Sequence, residues 1–362
     1  MLSARQRITL QKIIPYTLIW SIGALVYIVL EKGIVGDSLY YPSTELVYSF
    51  KNGFKITLPL ALLGGTLLGI IEVLIVREAF QKLSFGFKII IKAIVYMLIM
   101  MLVLFTISFV NNSVNLNLPL WDSQVINEVY GFFQTFTFWS VMIYGVFLTV
   151  FVQFFSEVSD SLGVNQLKNF FAGTYHKPQE EERIFMFLDL RGSTTMAEKL
   201  GHSTYFRLLQ QFFSDISDPI VNSWGEIYQY VGDEVVVSWP KYLGLKNNNC
   251  VECFFQCKGV ILERSKDYEA KFGAVPEFKA GIHLGKVAIG EVGVVKRDIL
   301  FSGDVLNTTA RIQSMCNELG VDLLISEDLY SQLSGKVEVN EMIECQLRGK
   351  NTATKLLNLT GL

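Results

Sequence analysis

The stretch RIFMFLDLRGSTTM, residues 183–196, decides how the second half of this chain reads. Arg183–Leu190 is an apolar run closed by a carboxylate, the pattern of a buried strand that ends at Asp189 and Leu190. Arg191-Gly192-Ser193-Thr194-Thr195 then supplies a glycine-containing turn, and a helix is expected over Met196–Leu209. A carboxylate at a strand end, followed by a helix start, suits metal-bound phosphates. The helix start offers free N–H groups, and the Asp offers a hard oxygen ligand.

The next informative stretch is EIYQYVGDEVVVSW, Glu226–Trp239. Two alternating strands flank Gly232-Asp233, a hairpin signal that puts Asp233 at the tip. A turn Asp alone says little. With the strand-end Asp189 it suggests a two-carboxylate metal site, and two metals roughly 4 Å apart can stabilise both the attacking and the leaving oxygen of a phosphoryl displacement. A haloacid-dehalogenase-type phosphatase would need a second Asp two residues after the nucleophile, where Arg191 stands.

Two further elements follow in order: FSGDVLNTTARI, Phe301–Ile312, and Leu347-Arg348-Gly349. Together with Phe187-Leu188-Asp189-Leu190 and Gly232-Asp233 they resemble the class III nucleotidyl cyclases over about residues 180–360. The resemblance implies an α/β (α+β) domain with a mainly antiparallel sheet, active as a head-to-tail homodimer. It implies that Asp189, Asp233 and the Leu190 carbonyl hold two Mg²⁺ or Mn²⁺ ions per site. Asn307 and Arg311 of a second copy would orient the ribose and stabilise the pentavalent phosphorus. Arg348 would take the usual Lys position on the outer phosphates, with Lys350 as the alternative, and Gly192, Ser193 and Thr194 would contact the substrate.

The implied reaction is attack of the ribose 3′-hydroxyl on the α-phosphate, giving a 3′,5′-cyclic nucleotide and pyrophosphate. Base choice in this family looks to two positions, here Gln229 and Leu300. They match neither the adenylyl pattern of Lys with Asp or Thr nor the guanylyl pattern of Glu with Cys. ATP is favoured as the nucleoside triphosphate, and GTP or a pyrimidine triphosphate stays open. Gly232-Asp233-Glu234 also resembles the GGDEF loop of diguanylate cyclases, but Val231 stands where that loop has its first glycine. A catalytically degenerate receptor is the alternative outside enzymes; Asp189, Asp233 and Arg311, whose loss would favour it, are all present.

The first half reads differently. The mean hydropathy is +0.36, and the excess lies before about residue 155. Four apolar stretches, near residues 13–30, 54–76, 89–110 and 131–155, each approach the roughly 20 residues of a spanning helix. The expected organisation is a four-helix transmembrane domain at 1–155, a helical linker at 156–177 and the cyclase domain at 178–362. The first stretch has no small-residue cleavage site, so a retained span is expected. Arg5, Arg7, Lys12, Arg77, Lys82, Lys88 and Lys92 outweigh Lys32, Lys51 and Lys55. Both termini and the catalytic domain are therefore expected on the cytoplasmic side of the cell inner membrane.

The two outward loops are short, so any ligand sensed by this part would act within or at the bilayer. Gly65 and Gly69 permit close helix approach. Glu72 is either an intramembrane site residue or a near-terminal side chain reaching the interface. A net charge of -3 with no basic stripe gives nucleic-acid binding no electrostatic support. Cys250, Cys253 and Cys257 read as the buried face of one helix.

Overall fold

The computed structural model describes residues 4–40, 48–76, 79–80, 83–162, 173–295, 297–335, 337–346 and 354–361. The chain divides into two compact units, residues 7–168 and residues 169–362, the latter grouped with residues 1–6.

The first unit holds helices α1 (Ala4–Val35), α2 (Phe50–Ile71), α3 (Phe85–Leu116), α4 (Ser123–Gln134) and α5 (Phe136–Leu162). Among the described residues, four helices are long and apolar enough to cross a membrane: Thr9–Val35, Phe50–Val76, Phe85–Leu116 and Phe136–Asp160. The fourth starts later than its hydropathy suggests. Residues 131–134 belong to α4, and Thr135, extended at φ −74° and ψ 146°, separates the two helices. Its hydroxyl accepts the Phe138 N–H at 3.2 Å and so caps the new start. The outward faces carry exposed apolar side chains such as Leu18, Leu102 and Phe147, as lipid-facing helices require. The Gly65/Gly69 stripe serves an approach inside the unit: a Cβ on Gly65 would lie 3.1 Å from Thr17 Cα, and one on Gly69 3.2 Å from Ile13 Cα.

Glu72 does not reach outward. It opens a π-helical turn, Glu72–Val76, and is 3% exposed. Lys92 donates to it at 2.6 Å, Tyr96 at 2.8 Å and Gln153 at 3.3 Å. Lys92 also donates to Glu157 at 2.9 Å. Removing one member of a buried ion pair leaves the other uncompensated. Lys92→Met should therefore cost about 3–5 kcal/mol, and the double change Glu72→Gln/Lys92→Met should recover most of it. Thermal loss of monodisperse full-length protein in detergent checks this cycle; a neutral single variant contradicts it.

The second unit is built on one sheet: β1 (Gln179–Leu190), β2 (Glu226–Val231), β3 (Glu234–Pro240), β4 (Phe278–Val292), β5 (Asp298–Ser302), β6 (Leu323–Ser326), β7 (Glu338–Cys345) and β8 (Thr354–Gly361). The order is β2-β3-β1-β4-β6-β8-β7, with β5 on β4. Of the seven pairings among the described residues only β4–β6 is parallel, so the mainly antiparallel expectation holds.

β1 is central and buried on both faces. Ile184, Met186, Leu188 and Leu190 face the larger core, with α7 (His202–Asn222) and α8 (Asn249–Glu263). Phe185 and Phe187 face a second cluster with Val236, Val287, Ile289 and Val305. Val305 belongs to the helix Asp304–Leu319, here α9, which covers that face. The three cysteines of α8 sit fully buried in the larger core.

One local expectation fails. The helix after β1 is not continuous from Met196 to Leu209. Helix α6 runs Ser193–Leu200 and ends at Gly201, whose φ of 74° breaks the ladder before α7 begins at His202.

Candidate active site

Side chains alternate along a strand, so residues 185, 187 and 189 of β1 share one face. Asp189 therefore emerges on the α9 side, just past Phe187. Cross-strand partners share a face too. Asp189 pairs with Glu234 on β3 and with Lys279 on β4, which sets Glu234, Asp189 and Lys279 in one row across three strands.

Asp233 arrives from the β2–β3 hairpin. Val231 pairs with Glu234, so Gly232 and Asp233 form a two-residue turn. Gly232 takes φ 65° at the first central position, where a side chain is disfavoured. The turn brings Asp233 to Asp189. Burial pushes the Asp233 carboxyl up, the nearby Ser193 side chain lowers it, and the Asp189 charge raises it further. Glu234 is pushed up to about 7, first by burial and then by Asp189 and Asp233, against Lys279. Its usual value is 4.5. The folded metal-free protein thus keeps a proton there that the unfolded chain releases. This carboxyl's contribution to stability falls as pH rises from 4.5 towards 7.

Gly192 sits at φ 61° ahead of α6, and the Met196 N–H bonds the Gly192 carbonyl at 2.9 Å. The N–H groups of Ser193, Thr194 and Thr195 then have no partner within the helix. Tyr205 of α7 adds a buried hydroxyl, close to Ser193 without forming a hydrogen bond, whose titration is raised by burial and by the Asp233 and Asp189 charges.

These groups fit a divalent cation. Two hard carboxylates lie together, and among the described residues no set of three or more His, Cys, Asp or Glu is arranged to hold a metal. A cation of the Mg²⁺ type suits such a place, because it takes one or two carboxylates and completes its shell with water and substrate phosphate. Leu190, beside Asp189, is the last residue of β1.

Asn307 and Arg311 are not brought to this cleft within one chain. They lie i,i+4 on α9, with Asn307 exposed and Arg311 partly so. Gln313, which does reach Asp189, lies about 200° around the helix from Arg311. The Asn307/Arg311 stripe thus points away from the chain's own carboxylate pair. Arg348, with Leu347, Gly349 and Lys350, lies outside the described residues.

Gln229 and Leu300 are each exposed and each adjoin a residue that joins their strands. The Tyr228 and Phe301 rings lie 4.6 Å apart, and the Phe301 N–H donates to the Tyr228 hydroxyl at 3.3 Å. A bulge between Ile227 and Gln229 alters the alternation. It sets Gln229 opposite Val236, on the Tyr228 face, while Tyr230 turns to Phe213 on the other.

The sequence reading missed Lys279, Gln313, Glu234 and Tyr205. Lys279 had a usable signal, being a charge inside the otherwise apolar start of β4. Gln313 and Tyr205 had none, since both are ordinary helix residues until the helices are docked.

A family model described as the adenylate and guanylate cyclase catalytic domain matches residues 175–358. Adenylate cyclase 2 of Rhizobium meliloti (strain 1021) is 33% identical over 223 residues, which are 61% of this chain and 61% of that protein. Adenylate cyclase 1 of the same organism is 25% identical over 187 residues, 50% of this chain and 28% of that protein. The chain thus spans less than two thirds of the length of either relative. A crystal structure of the guanylyl cyclase Cya2 is similar at a TM-score of 0.46 and 22% identity, covering 51% of this chain and 94% of that one.

Proposed function

The chain belongs to the adenylate and guanylate cyclase catalytic domain family, and from that premise we propose that it is a membrane-anchored nucleotidyl cyclase that turns ATP into the 3′,5′-cyclic nucleotide and pyrophosphate. The observation that carries the reading is the approach of Asp189, at the end of a buried strand, to Asp233, at a hairpin tip, beside the open start of a helix. Two divalent cations, Mg²⁺ or Mn²⁺, would be held by Asp189, Asp233 and the Leu190 carbonyl, and would neutralise charge developing on the phosphoryl and pyrophosphate oxygens.

The chain's own residues supply the rest. The N–H groups at Ser193 and Thr194 receive phosphate oxygens. The Tyr205 hydroxyl finds its acceptor there as well. Arg311 from a second copy lies against the α-phosphate, where a fixed guanidinium stabilises the charge of the five-coordinate phosphorus. Asn307 of that copy orients the ribose so that its 3′-hydroxyl, giving its proton to water, bonds through oxygen to the α-phosphorus as the bond to the pyrophosphate oxygen breaks. Arg348 holds the outer phosphates. The outward-turned Asn307/Arg311 stripe favours this sharing, because one copy alone leaves its carboxylates without those two side chains. Four membrane helices anchor the enzyme, with both ends and the cyclase unit in the cytoplasm as the basic residues suggest.

ATP is favoured by the names of the two relatives. The departure at Gln229 and Leu300 favours a relaxed choice, because of these two positions only the Gln229 amide is polar, and it can donate or accept. Membranes bearing the full chain, given Mn²⁺ and ATP, GTP, CTP or UTP in turn, should form cyclic product fastest from ATP. Gln229→Ala should narrow the preference by about tenfold, the loss of one hydrogen bond. Faster turnover of another triphosphate by the unaltered chain overturns the assignment of ATP.

A further inference from the structure

Asp189 is held by two donors on one oxygen. Lys279 Nζ and Gln313 Nε2 each lie 2.9 Å from its Oδ2. Both side chains are buried: Lys279 is 4% and Gln313 6% exposed. Lys279 is fixed by its register opposite Asp189. Gln313 is fixed by close docking of α9, since a Cβ on Gly281 would run into the Gln313 backbone nitrogen. Arg191, nearest to Asp189 in sequence, pairs instead with Asp322 at 3.0 Å. Lys279 then pairs with Asp189 in the row that also holds Glu234.

We propose that Lys279 and Gln313 are positioning residues for the cyclase reaction: they clamp Oδ2 of Asp189, leave Oδ1 for metal, and through Lys279 hold metal affinity below what Asp189 and Asp233 would otherwise give. This deepens, and rests on, the assignment of Asp189 to the metals.

The two donors separate two effects. Lys279 contributes orientation and a positive charge that opposes an incoming cation. Gln313 contributes orientation alone. Removing the Lys charge should therefore tighten metal binding while slowing turnover, an opposition that general loss of structure does not produce.

The test is an electron paramagnetic resonance titration of free Mn²⁺ against metal-free full-length protein in detergent, with turnover measured on the same samples. Lys279→Met should bind Mn²⁺ about tenfold tighter, as expected when a like charge within contact range of the ligand is removed at partial burial, and should turn over at least about tenfold slower. Lys279→Arg should restore both values to near those of the unaltered chain. Gln313→Leu should slow turnover with Mn²⁺ affinity nearly unchanged, and it keeps the idea testable if Lys279→Met does not fold. Weaker or unchanged Mn²⁺ binding by Lys279→Met, or unimpaired turnover by Gln313→Leu, overturns the proposal. Asp189→Asn in the same titration tells the two layers apart. If it keeps full Mn²⁺ affinity, the metal assignment itself is wrong. If it loses affinity while Lys279→Met does not gain it, only the clamp is wrong.

Discussion

Asp189→Asn and Asp233→Ala should each lower cyclic nucleotide formation by about 10³-fold or more, the scale expected when a group that stabilises developing charge is removed from a preorganised site. The choice of substitution matters at the first position. Asp189→Ala would strand Lys279, which is 4% exposed, as a buried charge without its partner. That change mixes lost catalysis with lost stability, because an uncompensated buried charge costs several kcal/mol. Asn also removes the counter-charge of Lys279 but keeps an oxygen for Lys279 and Gln313 to bond, so it costs less stability than Ala. Asp233 carries no such burden: it sits at a turn, so Ala there should leave the fold intact. Rates are compared at saturating Mn²⁺, where weakened metal binding alone would be masked. Activity within tenfold of the unaltered chain for either variant contradicts the two-carboxylate site.

The second large effect tests the sharing of each site between two copies. Arg311→Ala alone should be as inactive as Asp233→Ala. Co-expressed in one membrane, the two variants should recover about a quarter of full activity. Random pairing makes half of the dimers mixed, and one of the two sites in a mixed dimer keeps every group. The geometry behind this is specific. Gln313 and Arg311 lie on opposite sides of α9, and the Gln313 side is committed to the chain's own Asp189. A helix cannot turn both stripes to one cleft. No recovery, with both variants folded and dimeric, would argue that each site is built from a single chain.

Much of this was legible before any coordinates. A strand that closes on a carboxylate, and a Gly-Asp hairpin, are short-range signals, and the chain follows both. The four apolar helices are equally plain, since length and composition suffice. What sequence concealed depends on packing. Thr135 splits α4 from α5 within one continuous apolar run, so hydropathy merged them. Gly201 breaks a pattern whose periodicity runs on. The bulge at Tyr228 decides which way Gln229 faces, and alternation alone gives the wrong partner set. Lys279 and Glu234 become part of the site only through strand register, and Gln313 only through the docking of α9 at Gly281. Glu72 likewise lies in an apolar run where its partners, Lys92, Tyr96 and Gln153, come from helices far away in sequence.

The most direct test is product stoichiometry. Full-length protein in membranes, incubated with Mn²⁺ and ATP, should release one 3′,5′-cyclic nucleotide and one pyrophosphate for each triphosphate consumed, and Asp233→Ala should release neither. Inorganic phosphate in place of pyrophosphate, a linear or cyclic dinucleotide as product, or no consumption of any triphosphate would contradict the account.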